Sequence, residues 1–417
     1  MTIKALYPTI NPTLNLDFAN TKTLGPLVTF TRASSATYVG SDGLIKTAAV
    51  NEPRFDHNPT TGESLGLLVE EQRTNSFLQS QDFSTSWSNV GSSENTNVSV
   101  APDGTQTADA LVDTAINETH NFTQNLSGLA GSTTHTFSCF MKKGSTNYGV
   151  LGFAPNSSWG IGTGASVFFD LNNGTVGTAS NATGTIQALP NGWYRCTATA
   201  TTVATPGTAT MRIGSSLTGT AQTYTGAGDE AIYTWGAQLE AGAFATSYIP
   251  TTTAAATRNA DVANITGTNF SSWYRQDEGT VFAEWKCDPS TGSHWPNPAY
   301  FDDGTNNNYI GLQYRLPGAK TIRLNVVSGG VSSVSTTTNA YTPGQSGKTA
   351  AAFKANDFGV VLAGSTVATS ATGSMPLVTT ARIGFETVSS SYFNGTIKRI
   401  TFWPQRLANS TLQAITQ

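Results

Sequence analysis

Short runs in which apolar and polar residues alternate, each soon cut off by Gly, Asn, Asp or Pro, recur along almost the whole chain. Successive side chains of a strand point to opposite faces, so such runs read as half-buried strands, and several at close spacing read as sandwiches or barrels. The 3.6-residue period of an amphipathic helix is almost absent. Clear cases are Leu27–Thr31, Gly66–Glu70, Thr134–Met141 and Ser166–Leu171, the last closed by the hairpin turn Asn172-Asn173-Gly174. Gly192–Ala198, Ala209–Ile213 and Glu230–Leu239 follow, with Tyr233, Trp235, Ala237 and Leu239 expected on one face. A small, uncharged stretch, Pro250–Thr257, then separates a second strand series, in which Ile310, Leu312, Tyr314 and Leu316 alternate cleanly. The pattern predicts an all-β fold of two antiparallel β-sandwich domains in series, over 25–250 and 261–417. A linker spans 251–260, a Pro-punctuated arm spans 1–24, and a short C-terminal helix capped by Asn409 or Ser410 carries Leu412 and Ile415.

Composition narrows the function classes. At 417 residues the chain exceeds one ordinary core, and only 12% of residues are charged against a usual share of about 25%. Lys and Arg number 22 and Asp and Glu 26, with no dense basic footprint, which argues against nucleic acid. No apolar run approaches the roughly 18 residues of a membrane-spanning helix, and the first residues lack the apolar core of a secretory signal. Membrane insertion and signal-directed export are therefore not expected. The three cysteines, Cys139, Cys196 and Cys287, each share a strand face with apolar residues and read as small buried hydrophobes, with a Cys139–Cys196 pairing left open.

Catalytic patterns are missing. The four histidines are scattered, no Gly-x-Ser-x-Gly elbow occurs, and Gly347-Lys348-Thr349 lacks the earlier glycine of a phosphate loop, having Thr342 there. Glycoside hydrolysis needs two carboxyl groups on one site, yet the strand Val281–Cys287 offers only Glu284, and the adjacent Glu70 and Glu71 point to opposite faces. Glu70 and Glu71 are expected to pair with Arg54 or Arg73, and Arg32 and Arg258 with Asp17, Glu240 or Asp261. The most ligand-like cluster is the loop Asp302–Asn308, where Asp302, Asp303, Asn306 and Asn308 offer oxygens suited to sugar hydroxyls, and Asp302 and Asp303 to a calcium ion. An ordinary turn uses the same residues. Trp295 nearby offers a stacking face. Trp87, Trp159 and Trp295, among Ser, Asn, Gly and Pro, are expected to be exposed, and Trp193, Trp235 and Trp285 to be core.

Several ordered motifs carry a resemblance: Leu14–Asn20, Val28–Tyr38, Asp42–Ile45, Asn51–Asp56, Gly66–Glu70, Arg73–Asn75, Trp235–Glu240 and Thr246–Thr251. Together they resemble a family of tailed-phage virion proteins of the tail-fibre or appendage kind. Ala101–Leu111 and Asn191–Arg195 resemble carbohydrate-binding-module jelly rolls, and Gly279–Phe282 with Gly395–Leu407 resembles a concanavalin A or laminin G sandwich. The resemblance implies a non-enzymatic receptor-binding subunit, located in the virion, that adheres to host surface glycan. It implies other virion proteins as partners and a homo-oligomer, a trimer by analogy. A head decoration, head fibre or baseplate protein is the alternative, and a polysaccharide depolymerase a minor one. No cofactor is expected apart from the calcium noted above. The arm from Tyr7-Pro8 to Asn11-Pro12 reads as a docking strand onto a neighbouring subunit.

Overall fold

The computed structural model describes residues 8–154, 164–287, 296–314, 321–341, 344, 346–386 and 391–417. The fold is all-β: antiparallel strands dominate, and the α-helices among the described residues are the short Phe18–Thr21, Gly267–Ser271 and Asn409–Ile415. Asp17 caps the first by accepting from the Asn20 amide. The last begins at Asn409 with Ala408 at its cap position, where no side chain bonds to the helix, and buries Leu412. None of the described helices is long and apolar enough to cross a membrane.

The two sandwiches are nested, not consecutive. The first sheet of one sandwich runs Ala368–Ser370, Asp357–Leu362, Ser346–Lys354, Glu278–Cys287, Gly395–Trp403, Ser64–Val69 and Phe55–His57, with Leu14–Leu16 also on Gly395–Trp403. Its second sheet runs Thr29–Thr31, Val262–Thr266, Thr380–Ile383, Ala299–Asp302, Tyr309–Tyr314, Thr321–Ser328 and Val331–Ala340. Four strands from the first 70 residues thus belong to the same body as residues 262–403, and we call it the base. One core unites them: Leu14, Leu16, Phe18, Leu67 and Val69 pack with Trp285, Phe353 and Phe402.

The other sandwich is inserted between residues 75 and 256. One of its sheets runs Thr183–Ala188, Trp193–Thr201, Thr134–Lys143, Glu230–Ala241, Ala108–Asp113 and Ser92–Ser99. The other runs Thr175–Ser180, Ala165–Asp170, Tyr148–Phe153, Ala209–Ser216, Asn121–Leu126 and Ser88–Val90. The chain leaves and re-enters the base side by side, because Arg73–Asn75 pairs antiparallel with Ala256–Arg258. Sheet membership therefore moves the expected boundaries at residues 24 and 261: the strands Leu14–Leu16, Thr29–Thr31, Phe55–His57 and Ser64–Val69 belong to the base, and 256–258 form half of a two-stranded neck instead of a free linker. Alternation marks a strand without naming its partner, so sequence-distant pairing was invisible. The expected docking arm also turns inward, since Ile10 packs near Trp403 and Leu412 and Thr13 donates to the Phe402 carbonyl at 3.0 Å.

Parity holds for the cysteines, which are buried and form no disulfide among the described residues, with Cys139 opposite Cys196 in register. It fails once. Register slips between Ser138 and Phe140, opposite Trp235–Gln238, and Gly236 takes φ +65° where a Cβ would meet Phe140 Cδ2 at 2.8 Å. Tyr233 and Trp235 consequently join Phe140, Trp193 and Tyr248 on the outward face, while Ala237 and Leu239 enter the central core.

Candidate functional site

The Asp302–Asn308 loop is a tightly self-bonded turn. Asp302 is wholly buried, with Oδ2 accepting from Arg382 Nε at 2.5 Å and Oδ1 from the Gly304 amide at 2.7 Å. Asp303 accepts from the Thr305 amide and hydroxyl and from Asn308 Nδ2, and Asn308 Oδ1 accepts from the Gly329 amide. These bonds, with the Thr305 hydroxyl, hold Asp303 below the usual carboxylate range against the upward push of its burial. The oxygens proposed for calcium are thus engaged by donors of the protein, Asn306 alone of the four is simply exposed, and no group of three acidic, His or Cys side chains suited to a metal occurs among the described residues. Trp295 and Trp159 lie outside the described residues. Trp87, expected at the surface, is buried: it packs on Phe77 and Phe83 and donates to the Gln79 carbonyl at 3.2 Å.

On the same face of that sheet, Tyr300 stacks on Tyr309 and Asn297 Nδ2 donates to Glu386 at 3.1 Å. Burial pushes the Glu386 carboxyl up to about 7, although Asn297, Gln313 and Arg323 all favour its charged form. Such a group takes up its proton more readily folded than unfolded, so stability falls as pH rises from about 4.5 towards 7. Glu386→Gln is therefore expected to flatten this decline, by about 2 kcal/mol after allowing for partial exposure. Urea titrations of both proteins at pH 5 and 8 check it, and parallel curves would refute it.

Arg54–Glu70 and Arg32–Asp261 pair as expected, while Arg258 turns to Glu70 instead of Asp17, Glu240 or Asp261, and together they make one buried cluster at the neck. Arg32 meets Asp261 at 3.0 Å, Arg54 spans Asp261 and Glu70, and Arg258 reaches Glu70 at 3.4 Å. Burial would raise Glu70, but Arg258 and Arg54 with the Ser247 hydroxyl and amide bring it down to about 2. Glu71 pairs with Arg73. Glu240 instead accepts from Gln238 and Thr246, and Asp17 lies 3.4 Å from Arg399. Ser247 of the insertion bonds Arg54 and Glu70, each at 2.7 Å, so the cluster ties the two sandwiches together.

Beside this cluster lies the most site-like surface of the protein. Across the outward face of the first inserted sheet, register aligns Thr183, Thr199, Thr136 and Glu240 in one row. Thr185, Thr197, Ser138 and Gln238 form the next, and Gln187, Arg195, Phe140 and Trp235 the third. The segment Gly242–Ile249 is laid over half of this face, pinned by Thr136 to the Gly242 carbonyl at 2.8 Å and by Thr246 and Ile249 to Glu240 and Gln238. Thr183, Thr185 and Gln187, on the edge strand, stay exposed. The result is a trough with a floor of hydroxyls, a wall at Ala243–Ala245 including Phe244, and a volume of ≈ 450 Å³. It adjoins a depression of ≈ 620 Å³ past Thr201 and Asn181 on one side. On the other it shares Gln187, Arg195 and Ala245 with a cleft of ≈ 340 Å³ between the two sandwiches. Arg195 donates to the Ser138 hydroxyl at 3.1 Å and lies 5.4 Å over the Phe140 ring.

None of these trough residues was singled out in the sequence as a ligand contact. The available signal was polar parity in Arg195-Cys196-Thr197-Ala198-Thr199, where every outward residue carries a donor; nothing in the sequence placed Phe244 or the base beside it. The chain matches no family model, and no curated protein matches it. Among solved structures it is similar to the CBM40 of the Ruminococcus gnavus IT-sialidase bound to α2,3-sialyllactose, with 16% identity and TM-score 0.30 over 34% of this chain and 84% of that one. It is also similar to domain 4 of a Geobacillus stearothermophilus GH43 arabinanase in complex with arabinotriose, at 13% identity and TM-score 0.32 over 42% of this chain and 82% of that one. The LG1–3 region of the laminin α2 chain matches at 11% identity and TM-score 0.24, over 68% of this chain and 64% of that one. All three likenesses are partial, and none brings a site, ligand or activity to this chain.

Proposed function

We propose that the chain is a glycan-binding protein that takes a polysaccharide strand along the trough of the inserted sandwich. One observation supports this above the others: a long, shallow, open groove whose floor is Thr183, Thr185, Gln187, Arg195, Thr197 and Thr199 with Phe244 in its wall. Hydroxyls and amides both donate and accept, matching sugar hydroxyls, and an aromatic ring suits the apolar face of a pyranose. The reading is of binding without cleavage, because among the described residues no carboxylate lines the ≈ 450 Å³ trough, and hydrolysis needs two. On the motif order in residues 1–260 we place the protein in a phage virion, as a tail-fibre or other receptor-binding subunit. Copies in an oligomer would raise a weak single-site affinity through avidity.

The test is a bacterial polysaccharide array probed with the whole protein and with Gln187→Ala/Phe244→Ala. Both side chains are at least partly exposed, so the variant is expected to fold. A hit whose affinity drops about 10- to 100-fold in the variant, matching about 1.4–3 kcal/mol, supports the reading. Absence of any hit, or hits untouched by the substitutions, removes it and leaves a purely structural virion role.

A further inference from the structure

We propose that the cleft closing one end of the trough is a subsite for a carboxylate-bearing sugar residue, an inference that rests on the glycan-binding reading above. The cleft forms where outward faces of the two sandwiches meet. From the base come Lys286 and Thr396, directly opposite each other in register, with Leu68 next to Thr396 and with His57 from the sheet edge. From the insertion come Gln187 and Arg195.

Two buried polar atoms in its lining have no hydrogen-bond partner among the described residues, namely His57 Nε2 and Thr396 Oγ1, on residues that are each 5% exposed. Leaving such groups unpaired is costly, and a ligand that supplies their partners is the simplest reason for both to line one cleft. The chemistry of each is defined. His57 Nδ1 lies 3.0 Å from the Val39 carbonyl, which only accepts, so Nδ1 carries a proton and Nε2 is the ring atom left to meet a ligand. It therefore suits a sugar hydroxyl, and Thr396 Oγ1 either donates or accepts. Lys286 and Arg195 provide the positive charge. Asp56 and Glu70 also line the cleft, and both they and the nearby Glu63 are already engaged. Glu63, which feels Lys286 electrostatically, is bonded to Lys398 Nζ at 2.6 Å. Glu70 belongs to the neck cluster, and Asp56 Oδ1 accepts from the Val39 amide at 2.7 Å. One imidazole nitrogen, one adaptable hydroxyl and two cations in a confined space together describe a uronic-acid type of residue better than a neutral one.

Calorimetric titration of the whole protein with galacturonate, glucuronate and mannuronate oligomers, each against its carboxyl-reduced form, tests this. At least one acidic oligomer is expected to bind 10-fold or more tighter than its reduced partner at low salt. Lys286→Gln is expected to erase that preference, and Lys286→Arg to restore it. Equal binding of the acidic and reduced forms, or a preference that survives Lys286→Gln, overturns the subsite. So does failure of every acidic oligomer to bind; if neutral polysaccharides still bind through Gln187 and Phe244, the subsite alone is lost.

Discussion

Arg54→Ala is expected to lower the unfolding free energy by about 3–5 kcal/mol, the range for removing one partner from a buried ion pair. Arg54 is fully buried and its guanidinium meets Glu70, Asp261, the Thr37 carbonyl and Ser247 at once. Alanine leaves two carboxylates in a low-dielectric site. Arg32 still faces Asp261 and Arg258 still faces Glu70, which keeps the loss from reaching the cost of a bare buried charge. Burial would lower the Arg54 pKa, but Asp261 and Glu70 raise it above the ordinary arginine value, so the residue remains charged at any working pH. The contrast is Arg275→Ala: that side chain is 46% exposed beside Asp277 and Glu278, and its removal is expected to change stability by about 0–1 kcal/mol. Urea titration of both variants decides the matter. Equal shifts would mean that the neck cluster contributes no more than a surface pair. Because Ser247 belongs to the insertion and Glu70 to the base, Arg54→Ala is also expected to split one unfolding transition into two.

Fragment folding should show the second large effect. A chain of residues 261–417 corresponds to the second sandwich as the sequence divides it, and it is expected to stay unfolded or aggregate. It lacks Leu14, Leu16, Phe18, Leu67 and Val69, all buried in the base core. At about 1.5–3 kcal/mol for each buried side chain, their loss comes to roughly 10 kcal/mol, as large as the whole stability of a typical domain at about 5–15 kcal/mol. The fragment also exposes the edge of Gly395–Trp403, which Ser64–Val69 and Leu14–Leu16 occupy in the intact protein. A chain of residues 8–75 joined by a short turn to 256–417 retains every base strand and is expected to fold. Circular dichroism and a cooperative melt separate the outcomes. A cooperative melt from 261–417 alone would refute the nested architecture.

Strand identity was legible, and strand partnership was not. Thr134–Lys143 and Trp193–Thr201 stand where alternation put them, with Cys139 and Cys196 on the inward face, because parity depends only on neighbours in sequence. The slip at Gly236 follows from a glycine whose positive φ reverses the face. The Arg54–Glu70 and Arg32–Asp261 pairs were among the expected combinations because so few charges exist to pair. The Asp302–Asn308 loop was a different matter. Its residue types are common to ligand loops and turns, and the partner that engages Asp302, Arg382, is 80 residues away in sequence. The trough was out of reach for the same reason: its hydroxyl parity is written in the strands, but the covering segment Gly242–Ile249 and the facing base come from distant parts of the chain.

The paired neck of Arg73–Asn75 and Ala256–Arg258 has a mechanical meaning. A sandwich hung on a single linker passes any pull through one backbone. Here a pull on the inserted sandwich loads two backbones running side by side, so each carries about half the tension, and the load spreads into both sheets of the base. One strand of the neck continues from Ser64–Val69 and the other leads into Val262–Thr266. Residues 76–255 are thereby a doubly moored head whose mount receives any pull along two separate paths.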